Sequence, residues 1–131
     1  MAEIVLSNRM QALTDMVTPG TVITDVGCDH GFVSVYLVQK GISPRVIAMD
    51  VRSGPLEHAR EHIREYGLED SIETRLSDGL HSLKTGEAAG MICAGMGGPL
   101  MEKILTEGRQ QAKSFRELIL QPQSEIPHFR A

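Results

Sequence analysis

Thr21-Val22-Ile23-Thr24-Asp25-Val26-Gly27-Cys28-Asp29-His30-Gly31 is the stretch on which the fold turns. Its first half is apolar and β-branched, the pattern of a buried strand of about Val22 to Val26. Phe32 to Gln39, which follows it, reads as a helix. Strand, glycine turn and helix N-terminus is the unit with which a doubly wound sheet receives a nucleotide. Gly27 and Gly31 let the backbone turn sharply and come close to a ligand. The pattern is Asp-x-Gly-x-Asp-x-Gly rather than the Gly-x-Gly-x-x-Gly of a dinucleotide site.

That departure is chemical. A pyrophosphate seeks bare N–H groups and no nearby carboxylate. Asp25 and Asp29 instead put up to two negative charges around the turn. Such a loop repels phosphate and suits a cation. S-adenosylmethionine (SAM), an adenosine carrying a sulfonium and an ammonium but no phosphate, fits this description. NAD does not, because Asp29 stands where its pyrophosphate would sit.

Outward from the turn, the same logic repeats. Arg45 to Asp50 reads as a second strand that ends on an acid, 23 residues after Gly27. An acid about 20 residues past the glycine turn is where doubly wound folds bind ribose hydroxyls, and a carboxylate accepts from two vicinal hydroxyls at once. Ser53 is expected to cap a third helix, with Leu56, Ala59, Ile63 and Tyr66 on its buried face. His58 and His62 read as a surface pair, without the context of a metal site. Ser71 to Leu76 is a third strand, followed by Asp78-Gly79, whose acid is placed to accept from the exocyclic amine of adenine. His81 lies just beyond with no evident partner. Met91 to Ala94 is a fourth strand entering Gly95-Met96-Gly97-Gly98-Pro99, where three glycines leave room for a planar substrate. A helix face of Leu100, Met101, Ile104 and Leu105, a short helix from Arg109 to Phe115 and a fifth strand, Glu117 to Pro122, complete the pattern. At the other end, Ser7 is expected to cap a helix running to about Met16.

Strands and helices alternate, so the fold class expected is α/β, a Rossmann-like doubly wound sheet of mostly parallel strands in one domain, residues 1–131. Every group singled out falls at the carboxyl end of a strand, on one edge of the sheet, where a ligand crevice forms. Apolar residues make up 41% and charged residues 23%, an ordinary soluble balance. No apolar run approaches the roughly 20 residues that span a bilayer, and no signal peptide is visible at the start. Cys28 and Cys93 read as free thiols of a cytoplasmic protein, without the ligand pairs of a metal site. The net charge of −4 does not advertise nucleic acid. It is uneven, at −6 (9 basic, 15 acidic) over residues 1–108 and +2 (4 basic, 2 acidic) over 109–131; a basic end is compatible with an RNA partner.

Leu6-Ser7-x-Arg9, Asp25-x-Gly27-x-Asp29-His30, Gly54-Pro55, Asp78-Gly79-Leu80, Ala94-Gly95-Met96-Gly97-Gly98 and Leu118-Ile119-Leu120-Gln121-Pro122 together resemble the bacterial TrmK family, across essentially the whole chain. These are SAM-dependent (class I) tRNA methyltransferases that modify N1 of the adenine at position 22. The resemblance implies that Asp25, Gly27, Asp50 and Asp78 contact SAM and that Asp29 serves catalysis, as a base or electrostatically. The wider expected cofactor set adds Cys28, Asp29, His30, Val51, Gly79, Ala94 and Gly95, with Met96, Gly97, Gly98 and Pro99 against the target base and no metal. Gly95 to Gly98 occupy the place where amino-methylating relatives carry an Asn/Asp-Pro-Pro-aromatic motif, and the missing aromatic fits a ring-nitrogen target. Family members continue past the fifth strand into further strands and a C-terminal helical domain, so this chain is expected to be the N-terminal catalytic portion. Two other readings stay open: a methyltransferase acting on another RNA or a small molecule, and a Rossmann-like binding module without chemistry.

Overall fold

A computed structural model describes residues 4–122 of the chain. Its five strands, β1 (Ile23–Val26), β2 (Val46–Asp50), β3 (Ile72–Leu76), β4 (Gly90–Met96) and β5 (Glu117–Pro122), form one sheet in the order β3-β2-β1-β4-β5. All four pairings are parallel. Helices α1 (Asn8–Asp15), α2 (Phe32–Gln39), α3 (Ser53–Glu65), α4 (Gly98–Glu107) and α5 (Arg109–Lys113) complete the elements. The chain leaves β1 toward one side and returns through β4 on the other, so the switch point lies between these two strands, where crevices form at the carboxyl ends.

Strand periodicity sorts the core. Val46 and Ala48 of β2 and Ile92 of β4 join Leu37, Leu56, Ala59 and Ile63 on one side of the sheet. Ile47, Met49, Met91 and Cys93 alternate with them and join Leu80, Leu83, Met101 and Ile104 on the other. With both faces covered, β1 and β2 are buried along their whole length. Helix α3 docks through Leu56, Ala59 and Ile63, one apolar stripe at helical spacing. Burying Leu56 contributes about 2 kcal/mol.

Ser7 caps α1 as expected, its hydroxyl accepting from the Met10 N–H. Ser53 does not cap α3. It is the first helical residue, and Arg52 before it is the cap position, without a side-chain bond to the helix. Nor does a helix join β3 to β4. Turns span residues 77–89 instead, with Leu80 and Leu83 buried beneath them. Arg75 holds this segment: it donates to Glu73 at 2.7 Å, to the Ser82 carbonyl at 2.9 Å and to both Glu87 carboxylate oxygens. Both cysteines are free and buried. No helix among the described residues is long and apolar enough to cross a membrane. Of the basic C-terminal stretch, residues 123–131 lie outside the described residues.

Candidate active site

The β1–α2 turn is built on main-chain bonds. Gly27 and Cys28 both donate to the Met49 carbonyl of β2, at 2.8 and 2.9 Å, and Gly31 donates to Cys28 at 2.8 Å. Gly27 has φ of +74°, and a Cβ there would lie 2.5 Å from Cε of Met96. Gly31, at φ +78°, presses α2 onto Ala59 of α3, where a Cβ would meet another at 3.0 Å. Asp29 is the only non-glycine of the described residues with positive φ, +54°. Asp tolerates this left-handed region better than most residues, and the Asp29 N–H donates to Oδ2 of Asp50 at 3.0 Å, which holds it there. Local strain of this kind gathers at functional sites.

Two cavities open along the carboxyl edge. The larger, about 340 Å³, is lined by Gly27, by Asp50, Val51 and Arg52 after β2, by Ser77, Asp78 and Gly79 after β3, by Gly95, Met96 and Gly97 after β4, and by Leu100 and Ile104 of α4. This is the size of a small-ligand site. The smaller, about 180 Å³, is lined by Asp25, Cys28, Asp29, Val33, Ala94 and Met10 of α1. Gly27, Arg52, Gly95 and Met96 border both. The Met96 sulfur lies 3.4 Å from the Cys93 sulfur.

Asp50 is almost fully buried, yet lines the larger cavity. Its Oδ1 accepts from the Arg52 N–H at 2.9 Å and from Arg52 Nε at 3.2 Å. The pair keeps the Arg52 guanidinium firmly charged, chiefly through the hydrogen bond to Asp50. Asp25 is buried on the α2 side and accepts from the Ser34 hydroxyl at 2.7 Å. Burial, and then the charges of Asp50 and Asp29, push its carboxyl up to about 6 against the lowering effect of Ser34. Burial likewise raises both thiols, Cys93 to about 12 and Cys28 further, the nearby carboxylates adding to the effect at Cys28. Neither is a poised nucleophile.

The expected residues therefore divide. Gly27, Asp50, Val51, Asp78, Gly79, Gly95, Met96 and Gly97 meet around the larger cavity, and Asp25, Cys28, Asp29 and Ala94 around the smaller. His30, Gly98 and Pro99 line neither. The His30 ring stacks on His58 with centroids 5.0 Å apart, and its carbonyl bonds Nδ1 of His62 at 2.8 Å. The two helical histidines are thus part of a ring cluster between α2 and α3. Gly98 is buried at the start of α4 and Pro99 is exposed. His81 does have a partner, Glu107 at 3.4 Å. With Asp78 these two bring three potential ligand atoms within 4.8 Å; all are exposed, a common arrangement without any ion. Arg52, Ser77, Leu100, Ile104 and Met10 were not anticipated. Only Arg52 carried a usable signal, a cation two residues after a strand-end acid.

A family described as a methyltransferase domain matches residues 6–131. The chain is 35% identical over 130 residues to the tRNA (adenine(22)-N(1))-methyltransferase of Bacillus subtilis, covering 99% of this chain and 55% of the relative. The crystal structure of the B. subtilis M1A22 tRNA methyltransferase TrmK superposes with a TM-score of 0.87 at 36% identity, over 92% of this chain and 51% of that one. A Streptococcus pneumoniae structure, a candidate tRNA (m1A22) methyltransferase in complex with SAM, gives 0.88 at 34% identity, covering 92% and 57%. M. capricolum TrmK in complex with S-adenosyl-homocysteine (SAH) gives 0.75 at 28%, covering 81% and 48%. The chain spans about half the length of these relatives. Fold and sequence agree: this chain belongs to the methyltransferase-domain family, and it is similar to the TrmK structures named above.

Proposed function

We propose that this chain is the catalytic portion of a SAM-dependent methyltransferase that acts on N1 of the adenine at position 22 of tRNA, in the cytoplasm. One observation carries the reading. The larger cavity presents a nearly buried carboxylate, Asp50, and an Asp78-Gly79 turn, and it adjoins a smaller cavity that holds Asp29. The donor set fits the cofactor. Asp50 would take the ribose hydroxyls, Asp78 the adenine amine, and Leu100 and Ile104 would cover the base with apolar surface. Asp25 and Asp29 suit the cationic methionine end, and no lysine or arginine besides Arg52 lines either cavity to favour a pyrophosphate.

When bound, SAM supplies an electrophilic methyl group on a sulfonium. The residues of this chain do the rest. Adenine N1 carries an in-plane lone pair, so it needs no prior deprotonation. Its attack leaves positive charge on the ring, and Asp29, which lines the smaller cavity, stabilises that charge as it develops. N1 lies on the Watson–Crick edge, so the base must be unpaired or flipped out to enter; Gly95 and Gly97 leave the space. This chemistry asks for no metal. The test is transfer of labelled methyl from SAM to unmodified tRNA, with position 22 as adenine and as guanine. Label that appears as 1-methyladenine only in the adenine transcript supports the reading. Equal labelling of both transcripts, or of a small molecule alone, overturns it.

A further inference from the structure

Asp50 is committed twice over in this structure. A carboxylate offers about four lone-pair sites. Two are filled by main-chain N–H groups, from Asp29 at 3.0 Å and Arg52 at 2.9 Å, which the turn geometry fixes. The others face the Arg52 guanidinium, with Nε 3.2 Å from Oδ1 and Nη2 3.5 Å from Oδ2. A ribose diol brings two donors of its own. Asp50 can accept them only where the guanidinium now sits. The main-chain bonds stay, and the side chain of Arg52, 63% exposed, is free to swing. Only the Arg52 end of the pair is exposed, and the ribose hydroxyls that replace it keep the nearly buried Asp50 carboxylate hydrogen-bonded, so the exchange trades one set of donors for another.

The released guanidinium has few places to go. Its Nη2 already lies 3.7 Å from Oδ1 of Asp29, and Arg52 borders both cavities. Among the described residues lining them it is the only cation. Residues 1–108 carry a net −6, so RNA approaching this edge meets few other attractions. A guanidinium presents a planar fork of donors that matches a phosphate in bidentate fashion. Resting on the cofactor reading above, we propose that Arg52 is a phosphate ligand for the RNA strand that delivers the target base, latched onto Asp50 until the cofactor's ribose displaces it. Cofactor and RNA then bind with positive coupling, and the coupling is reciprocal. Cofactor first, RNA second becomes the favoured order without movement of the backbone.

The experiment uses this chain with SAH and a fluorescent, adenine-containing single-stranded oligoribonucleotide. SAH affinity is measured by calorimetry and oligonucleotide affinity by anisotropy at low salt, with and without SAH, for the wild type, Arg52→Gln and Arg52→Lys. For the wild type, SAH should tighten the oligonucleotide about fivefold or more. For Arg52→Gln, SAH should bind as tightly as to the wild type or tighter, and the tightening of RNA should vanish. With SAH present, the slope of log affinity against log salt should fall by about 0.7, the loss of one single-strand phosphate contact. Arg52→Lys keeps the charge and should recover part of the effect. If the wild type binds SAH but RNA affinity does not respond, or the response survives in Arg52→Gln, the latch is wrong and the cofactor reading stands. If Arg52→Gln weakens SAH as much as Asp50→Ala does, Arg52 is a cofactor ligand instead. If the wild type does not bind SAH, the cofactor reading falls and takes the latch with it.

Discussion

Replacing Asp25 by Asn should stabilise the ligand-free protein and remove a pH dependence from it. The side chain is buried, and its carboxyl is pushed from 3.8 to about 6, mainly by burial. A raised acid adds stability while it is protonated. That contribution is complete below about pH 4, fades as pH rises through 6, and is gone above it. Held ionised, the buried carboxylate therefore costs the fold. The shift of about two units corresponds to about 3 kcal/mol. Asn has nearly the same shape, still accepts from Ser34, and its amide can reach the smaller cavity that Asp25 lines. Some of the gain is lost with the charge-assisted bond from Ser34, which leaves roughly 1–3 kcal/mol at pH 8. The assay is urea unfolding of both proteins at pH 8 and at pH 4. The gap between them should be wide at the first and close at the second. An Asn variant less stable than the wild type at pH 8, or a gap of equal size at both, would mean that the Asp25 carboxylate does not burden the fold. The same carboxylate should serve a cationic ligand, so SAM affinity of the wild type should rise with pH through 6, and that of Asp25→Asn should be flat.

Other changes should separate the roles of neighbouring groups. Asp29→Ala should lower turnover much more than SAM affinity, in single-turnover kinetics set beside a titration, because its interaction is made mainly in the transition state; normal turnover with poor affinity would make it a cofactor ligand only. Gly27→Ala should cost about 1–2 kcal/mol in a thermal melt, since it forces alanine to φ +74°, and the added methyl should drive the Met96 side chain from its place between the cavities and weaken SAH binding. Glu87→Gln should cost about 1 kcal/mol at neutral pH, a value reduced for solvent screening. Arg75 chiefly holds that carboxyl at about 2, so its contribution is present above pH 4.5 and lost as pH falls through 2; denaturant midpoints at pH 7 and pH 2 check this.

The architecture was legible because strand and helix periods differ and each strand ends in punctuation. Gly27, Asp50, Asp78 and Gly95 mark four successive carboxyl ends, and parallel pairing brings them to one edge. What was not legible depends on packing across the sheet. Nothing in the periodicity of α1 shows that Met10 borders the smaller cavity, or in α4 that Leu100 and Ile104 border the larger. The segment after β3 has helix-like apolar spacing in Leu80 and Leu83, yet Gly79 and Gly86, both with positive φ, keep it in turns. The packing of His30 was not legible either: its ring stacks on His58 of α3 while its Nε2 stays 3.8 Å from Oδ1 of Asp29. The division of labour between Asp25 and Asp50 also escapes the pattern. Both lie near the carboxyl ends of buried strands, and only the three-dimensional packing shows that one faces Ser34 and the other the larger cavity.

Whether the strand-end acids hold the cofactor is tested most directly by a crystal structure with SAH, paired with calorimetry on the wild type and Asp50→Ala. Bound SAH should lie with its ribose hydroxyls on Asp50, its adenine beside Asp78 and Gly79 and its homocysteine end toward Asp25 and Asp29, and Asp50→Ala should lose on the order of 1.5–3 kcal/mol of affinity. Ligand bound elsewhere, or an Asp50→Ala affinity equal to the wild type, would contradict it.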